Sequence, residues 1–283
     1  MDKTSLVMRE FEKITKEKIF SILPLDDDHP NHFLVNYSIL IRASDPRYCE
    51  LLFHRRQGEY YFYQQAVNKR ISLPSPGILF YIPRGHLKAE AYLDGTLCPA
   101  EVSKEEAFQV IDALAALHNH RLEGQEFDPF EHFFHYKKLT KNTLPTSFED
   151  ELIRRMKVLR DSSPLVASHN DIKRRHIIFR DQKAYLLDMS NAGENSPIFD
   201  LASFFLDVDL SPDIIRACLE RYQKATNGRT YLYQDVFDAM SFLCAYDYYH
   251  YSALAQGASR PFFDMEAKKR KAKALRLFEE TLA

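Results

Sequence analysis

The chain has 283 residues, enough for one large or two modest domains around a substantial core, and its 45% hydrophobic, 28% charged composition excludes a disordered or fibrous protein. A formal net charge of -2 gives no general drive towards nucleic acid or acidic lipid. No uninterrupted apolar run reaches membrane-spanning length, and the start MDKTSLVMREFEKITKEKIF lacks the apolar middle of a signal peptide, so a cytoplasmic location is expected, with no nucleic-acid partner and no membrane span.

Val7, Met8, Phe11 and Ile14 recur at roughly helical spacing and predict an amphipathic opening helix. The polar stretch LPLDDDHPNHF reads as a turn, and FLVNYSILIR as two short strands around a turn at Asn36. Residues 48–67 look helical, SLPSPGILFYIP returns to extended structure with proline punctuation, and 87–93 reads as one more strand. At Ser103 the run SKEE has the form of a capping box, with Glu106 three residues on, and it opens a helix with Phe108, Ile111, Leu114 and Leu117 on one face. From there the pattern is mostly helical, with three or four helices towards the end. One β-like patch at 165–189 interrupts it, where HIIF and AYLLDM flank RDQK as in a hairpin. The boundary falls near 93–99, which divides the chain into a small α+β lobe (1–93) and a larger helical lobe (94–283).

Cys49, Cys98, Cys218 and Cys244 are scattered, without a CxxC pair or zinc-like spacing, and reduced thiols are expected. The chemistry is concentrated in SHNDIKRRHIIFRDQKAYLLDMSNAGENSPIFDLASFF. His169 and Asp171 precede the hairpin and Asp188 ends its second strand, so the returning chain should bring Asp188 near Asp171 and His176. Two carboxylates on loops beside short strands suit Mg²⁺, a hard cation that takes one or two carboxylates plus phosphate oxygens and water. Taken singly, each aspartate reads as a turn or cap residue. The joint pattern is more demanding: H-x-D, His176, a hairpin, D, then FDLA. Without further context, His169, Asp171, His176 and Asp188 also read as a metal-hydrolase cluster.

This pattern resembles the aminoglycoside phosphotransferase and choline kinase superfamily, and most of all its bacterial Lic-type choline kinases. There H-x-D-x-x-x-x-N precedes a hairpin ending in I-D and then a D-L-A helix. ALAALHNHR, EFDPFEHFFHY and YDYYHYSALAQ extend the likeness more faintly along the chain. The resemblance implies an α+β, bilobal protein-kinase-like fold with a small β-rich N-lobe and a larger, mainly helical C-lobe. It implies an ATP-dependent phosphotransferase acting on a hydroxyl of a small metabolite, choline- or ethanolamine-like or related. Asp171 would be the catalytic aspartate that deprotonates the alcohol, and Asp188 would hold Mg²⁺ against the phosphates. Arg42 would be the basic residue of the small lobe, with Glu59 as its helix partner; an ordinary surface pair is the alternative. Glu90 to Tyr92 would form the lobe connection beside adenine, and Asp200 would support the catalytic loop.

The sequence departs from the family pattern in four places. His176 stands where the family has an asparagine on the metal, which makes Mn²⁺ an alternative to Mg²⁺ because imidazole is the softer ligand. The DDDHPN turn has no glycine, Met189, Ser190 and Asn191 replace aromatic and acidic residues, and the chain has no tryptophan. Tyr246, Tyr248, Tyr249 and Tyr251 offer rings for a cationic substrate, with Tyr248 and Tyr251 on one helical face, or else pack the core. Lys173, Arg174 and Arg175 lie in the loop, where Arg174 and its neighbours suit an anionic substrate or the product phosphate, or else balance Asp26 to Asp28 across the cleft. His118 is expected to buttress the catalytic loop. A catalytically impaired pseudokinase is the second function class that these departures leave open.

Overall fold

The computed structural model of the chain describes residues 9, 13, 18–24, 32–38, 47–53, 57–76, 78–82, 87–91, 93–122, 128–208, 210–257 and 261–281. Val7, Met8, Phe11 and Ile14 of the expected opening helix lie outside them. The N-terminal part is an antiparallel sheet of β1 (Lys18–Pro24), β2 (His32–Ser38), β3 (Arg47–Phe53), β4 (Ile78–Ile82) and β5 (Leu87–Ala91), in the order β1-β2-β3-β5-β4. Helix α1 (Gln57–Asn68) lies between β3 and β4 in the chain.

Two local expectations change here. Asn36 is not a turn: β2 runs through it, because it is paired on one side with Ser21 and on the other with Tyr48. The stretch 48–67 is not one helix either, since its first part is β3, paired between β2 and β5. Its alternation of aromatic, thiol and aliphatic residues is compatible with both periods, and pairing on two sides decides for the strand.

The chain leaves this sheet at Ala91 and enters a second one at Thr96, where β6 (Thr96–Leu97) pairs with β8 (Ile177–Arg180), which pairs with β9 (Lys183–Leu186). A third, two-stranded sheet joins β7 (Val166–Ser168) to β10 (Gly193–Asn195). The rest is helical: α2 (Lys104–His118), α3 (Pro129–Lys138), α4 (Thr146–Ser162), α5 (Ile198–Asp207), α6 (Pro212–Ala225), α7 (Tyr233–Gly257) and α8 (Pro261–Glu280). A mixed sheet-and-helix part followed by a mainly helical part gives the α+β, bilobal, protein-kinase-like fold.

Helix α2 begins as its sequence dictates. The Ser103 hydroxyl accepts from the Glu106 N–H and the Glu106 carboxylate accepts from the Ser103 N–H, so two otherwise orphaned donors are satisfied. Its face of Ile111, Leu114 and Leu117 is fully buried, while Phe108 is only partly buried and carries Arg221 4.8 Å above its ring. Helix α7 packs along α8 and against α5, with Phe242 and Tyr249 fully buried. No described helix is long and apolar enough to cross a membrane, and Cys98, Cys218 and Cys244 are buried free thiols.

The β8–β9 hairpin pairs Ile177 with Leu186 and Arg180 with Lys183, leaving the two-residue loop Asp181-Gln182. Both loop residues have positive φ, 49° and 58°, as a type I′ turn requires. Asp tolerates that conformation better than Gln does. Gln182→Gly is therefore expected to raise the unfolding free energy by about 1 kcal/mol, read as a higher Tm. An unchanged or lower Tm would show that the turn carries no such strain.

Candidate active site

Strand β7 delivers the chain into the loop that follows Ser168, and α5 holds that loop by three side chains on one helical face. Asp200 accepts from the N–H of His169 (2.7 Å) and of Asn170 (2.8 Å). Ser203 donates its hydroxyl to the Ile172 carbonyl (2.8 Å), and Asp207 accepts from the Arg174 N–H (2.7 Å). The spacing i, i+3, i+7 puts all three on the same side of an otherwise apolar helix.

Asp200 is 1% exposed and takes a third hydrogen bond from His118 Nε2 (3.1 Å), whose Nδ1 lies 2.8 Å from the Tyr222 hydroxyl. Burial works against its ionised form, yet the His118 and His169 hydrogen bonds hold the carboxyl below its ordinary value. The loop-supporting positions expected for Asp200 and His118 thus meet in one buried network. Ser203 and Asp207 were not singled out from sequence; the signal that could have found them is the polar stripe along FDLASFFLD.

Within the loop every histidine nitrogen has a job. His169 donates from Nε2 to the Leu187 carbonyl (2.7 Å) and accepts at Nδ1 from the Asp171 N–H (3.3 Å). His176 donates from Nδ1 to the Asp171 carbonyl (2.8 Å) and accepts at Nε2 from Arg175 Nε (3.0 Å). Burial pushes His176 below the usual histidine range, against the opposing pull of Asp171, which agrees with a neutral ring. Asn170 takes a positive φ of 65°, with its amide bridging the Asn191 carbonyl and the Asn195 side chain.

The hairpin register brings Asp188 to this loop: Leu187 N–H donates to the His176 carbonyl, and the next residue is Asp188, at φ 56°. The His176 ring lies between the two carboxylates, with Nδ1 3.8 Å from Asp171 Oδ2 and Nε2 3.6 Å from Asp188 Oδ2. Lys173 Nζ is 2.7 Å from the other Asp171 oxygen.

Asp171 opens onto a cavity of about 490 Å³. Asn170, Lys173 and Arg175 line it from the loop, His132 and Tyr136 from α3, Tyr246, Asp247, His250 and Tyr251 from α7, and Arg270 from α8. The Tyr136 and His250 ring centroids are 4.6 Å apart, and Tyr136 and Tyr246 are 5.7 Å apart. Burial pushes the Asp247 carboxyl above its usual range, while Arg270, 3.4 Å away, works against that shift.

Two expected substrate residues do not line this cavity. Tyr248 sits elsewhere on α7, its hydroxyl donating to the Thr143 carbonyl and its ring under Lys271. The face that meets the cavity runs through 246 and 250 with 247 and 251, so Tyr251 is on it and Tyr248 is turned away by the helical period. Arg174 turns towards Asp207, 3.6 Å from its Nε, and leaves the wall to Lys173 and Arg175. Arg42, Tyr92 and the DDDHPN turn lie outside the described residues. Glu59 falls within α1, and Glu90 on β5 opposite Glu50 of β3. Among the described residues no group of three or more His, Cys, Asp or Glu side chains is arranged to hold a metal ion.

Residues 55–234 match the phosphotransferase enzyme family. The chain belongs to that family. It is 22% identical over 212 residues to protein LicA of Haemophilus influenzae strain Rd, an alignment covering 69% of this chain and 78% of that protein. A second LicA from the same species aligns over 62% of its own length, so the chain spans less than two thirds of it. Among solved structures, choline kinase LicA from Streptococcus pneumoniae superposes with a TM-score of 0.74 at 16% identity, covering 98% of this chain and 99% of that one. A LicA in complex with AMP gives 0.71 at 16% identity, covering 99% and 100%, and a Plasmodium vivax ethanolamine kinase 0.69 at 13%, covering 99% and 89%. At these identities the superpositions establish the shared fold.

Proposed function

We propose that this member of the phosphotransferase family is an ATP-dependent kinase that phosphorylates a hydroxyl group of a small metabolite, choline- or ethanolamine-like or related. The observation that carries the reading is the Asp171 carboxylate on the wall of a cavity of about 490 Å³, with Asp188 on the far side of the same imidazole. An alcohol in the cavity gives its proton to Asp171 as its oxygen bonds to the γ-phosphorus. The bond from that phosphorus to the β,γ-bridging oxygen breaks, and ADP leaves.

Asp188 fits a hard divalent cation: its carboxylate is partly exposed at the end of β9, and Mg²⁺ asks for one or two carboxylates plus phosphate and water. When bound, the ion would neutralise charge on the β- and γ-phosphates. His176 does not fit as its second ligand, because both ring nitrogens already have hydrogen-bond partners, so Mg²⁺ is favoured over Mn²⁺. The same occupancy at His169 and His176 removes the imidazoles that a metal-hydrolase centre would need.

The acceptor class is supported by the rings of Tyr136, Tyr246, His250 and Tyr251 around the partly buried Asp247, groups suited to a small cation carrying a hydroxyl. The relatives named above as choline and ethanolamine kinases point the same way. The test is release of ADP from MgATP across a panel of amino alcohols, neutral polyols and hydroxy acids. The expected result is acceleration by one group of acceptors well above slow background hydrolysis. Thermal stabilisation by MgATP with no acceptor accelerating turnover would mark a nucleotide-binding pseudokinase instead.

A further inference from the structure

Three consecutive cations follow the catalytic aspartate by two residues, and they have separate fates. Lys173 is engaged by Asp171, and Arg174 by Asp207 through its backbone N–H and its guanidinium. On the far wall, Arg270 is paired with Asp247. Among the described Lys and Arg side chains lining the cavity, Arg175 is the one with no carboxylate partner. Its Nε donates instead to the neutral acceptor nitrogen of His176 (3.0 Å).

That single hydrogen bond also sets direction. His176 is fixed by its own donation to the Asp171 carbonyl, and its ring lies within 4 Å of both Asp171 and Asp188. The guanidinium is therefore tethered at the seam between the base that activates the acceptor and the carboxylate suited to the metal. With Nε bound to His176, the two terminal nitrogens remain as a planar fork, the geometry that suits two oxygens of one phosphate. Because neither carboxylate forms an ion pair with Arg175 among the described residues, its terminal nitrogens are left to an anion that enters the cavity.

Resting on the phosphotransferase reading, we propose that Arg175 is a further catalytic residue: its guanidinium binds the γ-phosphoryl group of ATP during transfer, and His176 is the positioning residue that aims it. The transferred group carries its charge on three equatorial oxygens, and an arginine supplied from the same chain stabilises that charge without itself gaining or losing a proton. The histidine that departs from the family pattern then has a task of its own, which is to hold an arginine.

The test needs no knowledge of the acceptor. Dissociation constants for MgADP and for the β,γ-methylene analogue of MgATP are measured by calorimetry on the wild type, R175A and R175K. In the wild type the analogue should bind more tightly than ADP. R175A should lose about tenfold in analogue affinity with ADP affinity kept within about twofold, R175K should lie between, and added guanidinium should restore part of the loss. Because the Arg175 side chain is exposed, neither variant threatens folding. An analogue-to-ADP ratio in R175A equal to the wild type's would overturn the role of Arg175 alone. Failure of the wild type to bind either nucleotide would overturn the kinase reading and this inference with it, and the two failures are told apart in one experiment.

Discussion

Replacing Asp200 by alanine should lower the unfolding free energy by about 3–5 kcal/mol, seen as a lower urea midpoint and a lower Tm. The side chain is 1% exposed and accepts two backbone N–H groups and one imidazole N–H. Its removal strands three donors where water has no access, and each buried unsatisfied donor costs about 1–3 kcal/mol. Asp200→Asn keeps the volume and one acceptor oxygen, so it should cost distinctly less. The effect also has a pH signature. The folded-state carboxyl lies below its ordinary value, so its stabilisation is complete at and above the usual carboxylate pKa. It is lost as the pH falls below about 4 and through the folded-state value. The gap between wild type and D200A should therefore be constant from pH 5 to 7 and shrink on further acidification. A loss under about 1 kcal/mol at pH 7 would mean that the loop is held by something other than this network.

Asp171→Asn should reduce acceptor-dependent turnover by about 10³-fold while leaving nucleotide affinity nearly unchanged. The substitution is isosteric and keeps the N–H bonded to His169 and the carbonyl bonded to His176, so the loop geometry survives. What disappears is the basic oxygen facing the cavity. The lost charge also frees Lys173, now 2.7 Å from that carboxylate, so phosphate binding should hold or tighten as turnover falls. A split of that kind, a large loss in kcat with Kd for MgADP within about threefold, separates a base from a structural residue. A rate within tenfold of wild type would remove Asp171 from the chemistry.

Much of the centre could be read in the sequence because it depends on local order. HIIF and AYLL are short apolar runs on either side of a polar stretch, so the hairpin follows from the pattern, and with it the return of Asp188 to His176. The capping box at Ser103 is equally local. Local pattern is insufficient where distant partners decide. The RYCELLF run becomes a strand because β2 and β5 pair on either side of it, and Asn36 stays extended for the same reason. Tyr248 and Tyr251 share a helical spacing in the sequence, but the packing of α7 presents Tyr246 and Tyr251 to the cavity and Tyr248 to Thr143. Lys173, Arg174 and Arg175 look interchangeable in sequence. The short 3-10 turn Arg174–His176 sends each in its own direction, towards Asp171, Asp207 and His176.

The three-point hold that α5 exerts on the catalytic loop divides responsibility between elements. Asp200, Ser203 and Asp207 fix the backbone on both sides of Asp171, the base we propose, whereas the cavity opposite is walled largely by α3, α7 and α8. Exchanging Tyr136, Tyr246 or Tyr251 would therefore reshape the chamber without touching a bond that holds the loop. On the proposed reading, a scaffold wired this way can acquire new acceptors by changing its wall one side chain at a time, while the loop that holds Asp171 is inherited intact.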